Sequence, residues 1–203
     1  MFVPLPGPAS NRRTRRSQRR SKTASRTDQG ILIGECAEPD CLPPPEGSGI
    51  TPVASIPIEE AVRGPGLVLG AGGAPTTVVE VNASGSDAET YLGAIVVAAC
   101  VDAARSDVEV TELAHTSDPY MQWSMAAGPD GRLRIAWTAQ DALFLATCHD
   151  SACSQFSVVD TGHPADDVAL AFDPTGAPTL ATTSQERGLE LVLCGDDTCQ
   201  NRN

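Results

Sequence analysis

Six of the seven cysteines stand in C-x-x-x-x-C pairs: Cys36 and Cys41 in CAEPDC, Cys148 and Cys153 in CHDSAC, Cys194 and Cys199 in CGDDTC. Two chemistries suit such pairs. Oxidised, each closes a local disulfide, because cysteines that flank a hairpin loop satisfy the Cα separation a disulfide requires. Closing so short a loop contributes about 2 kcal/mol in the chain-entropy model. Reduced, the pairs would serve zinc, but zinc sites set one close pair against another. Here the pairs belong to different repeats, and only His149 adds a further ligand type nearby. The disulfide is the better fit. Cys100 has Arg105 where a second cysteine would stand; it reads as a buried thiol that packs like a small hydrophobe.

The other reactive residue types form no frame. His115, His149 and His163 are isolated, and neither H-E-x-x-H nor G-x-S-x-G occurs. Serine and aspartate are plentiful in loops without the geometry of a triad. Asp130, Asp150, Asp160, Asp166, Asp167, Asp173, Asp196 and Asp197 recur in turns. Clustered carboxylates suit calcium, yet no stretch has the spaced pattern of an EF-hand loop. Aspartate beside Pro-x-Gly is ordinary turn chemistry, and that reading is preferred. The glycine-rich GAGGA after Leu69 follows a strand of three residues and opens no helix, so it lacks the context of a nucleotide loop. Trp123 and Trp137 read as core packing rather than a sugar platform. No catalytic residue, cofactor or metal ligand is assigned.

The elements that carry these residues repeat. Cys148 and Cys194 are 46 residues apart, and Gly131 and Gly176 are 45 apart. MAAGPDGRLRIAW lines up with LAFDPTGAPTLAT, and LATCHDSAC with LVLCGDDTC. A period near 45 marks a repeat architecture. Short apolar runs between turn residues, and the alternation Val-Glu-Val-Thr-Glu-Leu from Val108, predict strands. In one copy these are Trp123–Ala127, Leu133–Thr138, Ala142–Cys148 and Cys153–Asp160, here lettered a to d. The cysteine loop joins c to d. Pro52 and Pro57 demote the segment around residue 50 to an edge strand or a loop. Four antiparallel strands in about 45 residues is a β-propeller blade. The predicted fold is therefore all-β: a propeller-like array with an incomplete blade at 29–60, blades at 66–118 and 121–163, and a blade at 166–203 lacking its last strand. Such an array is too short to close a ring alone, so the chain is expected to be a fragment or one piece of an assembly.

The stretches MAAGPDGRLRIAWTAQDALFLATCHDSACSQFSVVD and VALAFDPTGAPTLATTSQERGLELVLCGDDTC resemble the repeat of secreted bacterial propellers related to sialidase-type (BNR-like) propellers. The likeness lies in a strand-turn-strand, "L-A-x-D-x-x-G-x-P", followed by a strand ending in C-x-D-x-x-C. It covers residues 66–199. CAEPDC fits it loosely, and the copy at Cys100 has lost its second cysteine. The resemblance implies a propeller, not an activity. The sialidase Asp-box is absent, and six arginines and two tyrosines in the folded part do not supply the arginine cluster and tyrosine nucleophile of that enzyme.

Charge narrows the partners. Eight of 14 basic residues fall between Arg12 and Arg26; beyond Thr27, 26 acids meet six arginines, leaving the body near −20. Such a surface repels nucleic acid and anionic membranes and suits cationic ligands. No apolar run is long enough for a transmembrane helix. Residues 1–28 are too polar to bury a core and are expected to be a disordered basic arm. Paired cysteines point to an extracellular or cell-surface setting, yet no signal peptide is legible; the true N-terminus is expected to be missing or misassigned. The function expected is a non-catalytic exported propeller repeat protein that presents a binding surface to a protein or glycan ligand and self-associates through open blade edges. The alternative is part of a glycan-active hydrolase whose catalytic residues lie elsewhere.

Overall fold

The computed structural model describes residues 22–27, 30–36 and 50–56 as backbone, together with 66–69, 74–82, 93–100, 108–118, 120–196 and 199. Among these residues there are fourteen strands and no helix. Strands β1 (Lys22–Thr27), β2 (Gly30–Cys36) and β3 (Ile50–Ile56) make a first sheet. The second holds β4 (Gly66–Leu69), β5 (Pro75–Asn82), β6 (Gly93–Cys100) and β7 (Val108–Thr116). The third holds β8 (Trp123–Ala127), β9 (Leu133–Ala139), β10 (Ala142–Cys148) and β11 (Phe156–Pro164). The fourth holds β12 (Asp167–Phe172), β13 (Pro178–Ser184) and β14 (Gly188–Leu193). Within each sheet, strands adjacent in the chain pair antiparallel, and among the described residues no closed ring of sheets is seen.

Local chemistry accounts for the hairpins. The ends of β9 and β10 pair Ala139 with Ala142 across a two-residue turn. Gln140 and Asp141 both have positive φ, 51° and 61°, as that mirror-image turn demands. Neither is glycine, and the Asp118 carboxylate steadies the turn by accepting the Gln140 N–H at 2.9 Å. In the fourth sheet the matching hairpin has three residues between Ser184 and Gly188, with Gly188 at φ 69°. There the Asp166 carboxylate accepts the Gln185 N–H at 2.9 Å. An aspartate leading into each of these two sheets thus fastens the central turn of that sheet.

Two segments depart from the sequence reading. Lys22–Thr27, within the stretch read as a disordered arm, pairs with β2 as β1; residues 1–21 lie outside the described residues. The last strand of the third sheet starts at Phe156, not at Cys153. Cys148 pairs across the ladder with Phe156, and Cys153 sits in the loop with φ 60°. The physical reason is the loop itself, which curls back on the Asp150 side chain before the ladder can begin. Pro52, on the edge strand β3, lies where the register shifts between Ile33 and Gly34, a bulge position that asks proline for no ladder donor.

The second and third sheets, and the third and fourth, stack face to face. Val78, Ile95 and Val97 of the second sheet share one buried cluster with Ile135, Trp137 and Ala146 of the third. Ala136, Leu143 and Leu145 on the opposite face of the third share another with Val168, Leu170, Leu180 and Val192 of the fourth. The alternation of side chains along a strand explains this: odd and even positions serve different neighbours. Strand β12 crosses β8, where the Leu170 N–H donates to Ser124 Oγ at 3.0 Å. Strand β8 likewise crosses β4 at Gly66. A Cβ there would lie 2.6 Å from Met125 Sδ and 2.8 Å from two Trp123 ring carbons.

Candidate functional site

The cysteine loops come first. Cys148–Cys153 and Cys194–Cys199 are disulfide-bonded, with Cα atoms 4.7 and 4.4 Å apart. All four residues are buried. The sequence predicts a bond that spans the hairpin of strands c and d as a cross-strand pair; instead Cys148 stands opposite Phe156 and the bond closes within the connection that follows β10, while its counterpart follows β14. Inside the loop, Asp150 Oδ1 accepts the N–H groups of Ala152 and Ser154, at 2.9 and 3.0 Å. Asp150 Oδ2 accepts the Gln155 N–H at 2.7 Å and the Ser154 hydroxyl at 2.9 Å. Burial pushes this carboxyl upward, but the donors of Ser154, Gln155 and Ala152 outweigh it and hold the group below the usual carboxylate range. The aspartate of C-x-D-x-x-C is therefore a loop fastener. Asp196 holds the same place in the last copy, where the Cys199 N–H donates to the Asp196 carbonyl as that of Cys153 does to Asp150, each at 3.3 Å. The pairing of Cys36 with Cys41 lies outside the described residues. Cys100 is buried at the end of β6.

The turn acids serve the backbone too. Asp173 accepts from the Thr175 hydroxyl at 2.6 Å and from the Thr175 and Ala177 N–H groups at 2.8 and 2.9 Å. These donors, the hydroxyl foremost, hold its carboxyl low. In the third sheet the acid has moved two places along the turn. Asp130 is gripped by both terminal nitrogens of Arg134, at 2.9 and 3.0 Å, and this bidentate bond chiefly lowers its carboxyl. Arg134 is buried on β9, and its guanidinium lies 5.6 Å from the Phe172 ring centroid, so it ties the third sheet to the fourth. Sequence reading did not single it out, since a charged residue in an apolar alternation looks like a solvent position.

The histidines stand apart. A bulge in β7 opposite Ile95 and Val96 brings His115 and Glu112 together on an exposed face, with Nε2 2.6 Å from Oε1. His163 of β11 is buried, and its Nε2 lies 3.1 Å from Glu190 Oε2 on β14, without the angles of a hydrogen bond. His149 is exposed beside its disulfide. Trp137 is buried and stacks on Phe144 with centroids 5.5 Å apart. Trp123 packs on the same cluster. Both tryptophans thus belong to the junction between the second and third sheets.

One arrangement is concave and polar. The segment leading into β8, the β9–β10 turn, the β11–β12 link and the β13–β14 turn meet at one end of the third and fourth sheets. Between them lies a groove of about 340 Å³, lined by Asp141, Pro164, Ala165, Asp166, Gln185 and Glu186. It continues into a neighbouring hollow of about 320 Å³ bordered by Asp118, Tyr120 and Thr138. Four acidic residues from four separate turns, Asp118, Asp141, Asp166 and Glu186, line this depression, and Tyr120 at its rim is 80% exposed. These turns are far apart in the chain, so no local motif announces them. A scan of protein-family models finds none that matches this chain, and a search of curated proteins finds no match either.

Proposed function

We propose that the chain is an exported array of propeller-type repeats, of the sialidase-like kind its repeat resembles, and that it holds out a binding surface rather than an active site. The ligand we assign to the acidic groove is a basic segment of a protein partner. The observation that carries this reading is the convergence of Asp118, Asp141, Asp166 and Glu186 on one groove beside an exposed tyrosine ring. Carboxylates give long-range attraction and charge-assisted hydrogen bonds to lysine and arginine. The tyrosine face adds a cation–π contact. Export is supported by the two closed disulfides, which persist in oxidising compartments. The other turn acids serve their own loops: Asp130, Asp150 and Asp173 are each engaged with backbone donors or Arg134.

The test is binding of a fluorescent oligo-arginine peptide by anisotropy, across salt concentrations. Affinity is expected to fall as salt rises and to drop about tenfold in Asp141→Asn/Glu186→Gln, where two charges are removed without altering the turns. Binding that ignores both salt and these substitutions, or binding of a neutral polysaccharide in place of the peptide, would sink the assignment.

A further inference from the structure

Two junctions between sheets can be compared place by place. His115 and His163 each stand three residues before the aspartate that fastens the next turn, Asp118 and Asp166. Phe144 stands four residues before Cys148, as Glu190 does before Cys194. Across the ladder they face Trp137 and Thr182. Between the third and fourth sheets this place is filled: His163 is buried, with its Nε2 3.1 Å from Glu190 Oε2. Between the second and third it is open. His115 turns outward to Glu112, its side chain 66% exposed, and a hollow of about 350 Å³ is left. The apolar part of its lining is Trp137, Phe144, Ala114, Ala139 and Val158. Trp137 and Phe144 stack on one another, and Val158 is 42% exposed.

The hollow adjoins the acidic groove. Ser117 and Gln140 line the hollow, and their chain neighbours Asp118 and Asp141 border the groove. Gln140 holds the ridge between the two: its N–H donates to the Asp118 carboxylate, and its side-chain amide donates to Ser117 Oγ at 3.3 Å. We propose that the hollow seats a large apolar side chain, leucine or phenylalanine, of the same basic segment that the groove takes; the proposal rests on that reading of the groove. Three observations select this occupant. No carboxylate is among the residues lining the hollow, so an arginine or lysine seated there would lose its water without gaining a partner. The basic residues therefore keep to the groove. The apolar lining, with its stacked rings, gains from burying an apolar group. Hollow and groove lie one residue apart along two segments of the chain, so a single extended segment reaches both. The partner is thereby narrowed from any basic segment to one with an apolar anchor beside its positive charges. In such an arrangement one pocketed side chain carries much of the affinity.

Fluorescence anisotropy of the full chain with labelled peptides tests it. Each peptide carries an oligo-arginine run. One set places a phenylalanine at successive positions beyond either end of the run, and each member has a twin with alanine there. The expected result is a position at which phenylalanine binds about tenfold more tightly than alanine, the gain that burying one such side chain supplies. Val158→Gln should bring those twins level. Its side chain is partly exposed, so circular dichroism should be unchanged. Asp141→Asn/Glu186→Gln should weaken both twins alike, because it acts on the groove. Trp123 and Trp137 are the two tryptophans of the chain. In a Trp123→Phe background the phenylalanine peptide should shift the emission of Trp137, and its alanine twin should not. Twins that bind equally at every position would overturn the proposal and leave the groove reading standing. A phenylalanine gain that survives Val158→Gln without a change in Trp137 emission would put the apolar contact elsewhere and overturn it too. If no arginine peptide binds, the groove reading fails and the proposal fails with it.

Discussion

The two devices that fasten the loop after β10 act on different states, and that makes their energies separable. Replacing Cys148 and Cys153 by alanine removes a cross-link over six residues, worth about 2 kcal/mol as entropy returned to the unfolded chain. Replacing Asp150 by alanine removes an acceptor from three backbone N–H groups and a hydroxyl of the folded loop. Bonds to a charged acceptor contribute about 1.5–3 kcal/mol each where they are dry; the loop is partly exposed, so about 1–2 kcal/mol in total is expected. The first device constrains the unfolded chain and the second stabilises the native loop. The triple variant should therefore lose about 3–4 kcal/mol, with a coupling below about 0.5 kcal/mol. Urea unfolding followed by circular dichroism measures all four corners of this cycle. A coupling above about 1 kcal/mol would refute the reasoning, for it would mean that the disulfide works by holding the folded loop that Asp150 needs. A cysteine pair whose loss costs nothing would refute it as well.

Further expectations follow from the same contacts. Asp130, Asp150 and Asp173 all titrate below their unfolded value of 3.8. Such groups contribute stability that is fully present above that value and is lost as pH falls through the depressed folded-state values; the urea midpoint should be flat from neutrality to about pH 5 and drop below about pH 4, and a midpoint that rises on acidification would contradict this. Arg134→Ala should cost about 3 kcal/mol, because it unseats Asp130 and empties the space beneath Phe172; Arg134→Lys should recover only part, since one ammonium cannot replace the bidentate grip. Gly66→Val should lower the thermal midpoint by an amount equivalent to about 1–3 kcal/mol, as its side chain would occupy the place of Trp123 and Met125.

Strands were legible where the decision is local. Trp123–Ala127 and Ala142–Cys148 have in the structure the bounds that their apolar runs and flanking turn residues suggest. The strand after Cys153 was misplaced because its start is set by a side chain, Asp150, that gathers the loop amides; Ser-Gln-Phe-Ser-Val-Val reads as strand from the cysteine onward. Lys22–Thr27 has the composition of a solvated tail, and its pairing with β2 comes from a partner strand that composition does not reveal. Arg134 shows the same limit for burial, since both its charge and its place in the alternation mark it outward, and an acid in the preceding turn and the ring of Phe172 hold it inside. Leu191 and Leu145 are alike in sequence context and opposite in exposure, because a neighbouring sheet is a property of the assembly and not of the strand. The acidic groove was hidden for a related reason: Asp118, Asp141, Asp166 and Glu186 come from four turns that meet only when the sheets stack.

The stacking of repeat sheets brings together the turns that form the groove, and it can be read from matched leucines in one experiment. Carbene footprinting of the dilute chain, quantified by mass spectrometry, compares Leu143 and Leu145 with Leu189 and Leu191. The two pairs are matched: all four are leucines, each pair lies on the third strand of its sheet, and each stands five and three residues before a cysteine. Stacked sheets predict heavy labelling of Leu189 and Leu191 and protection of Leu143 and Leu145. Equal labelling of the two pairs would mean that the third and fourth sheets do not cover one another, and would contradict the account at its base.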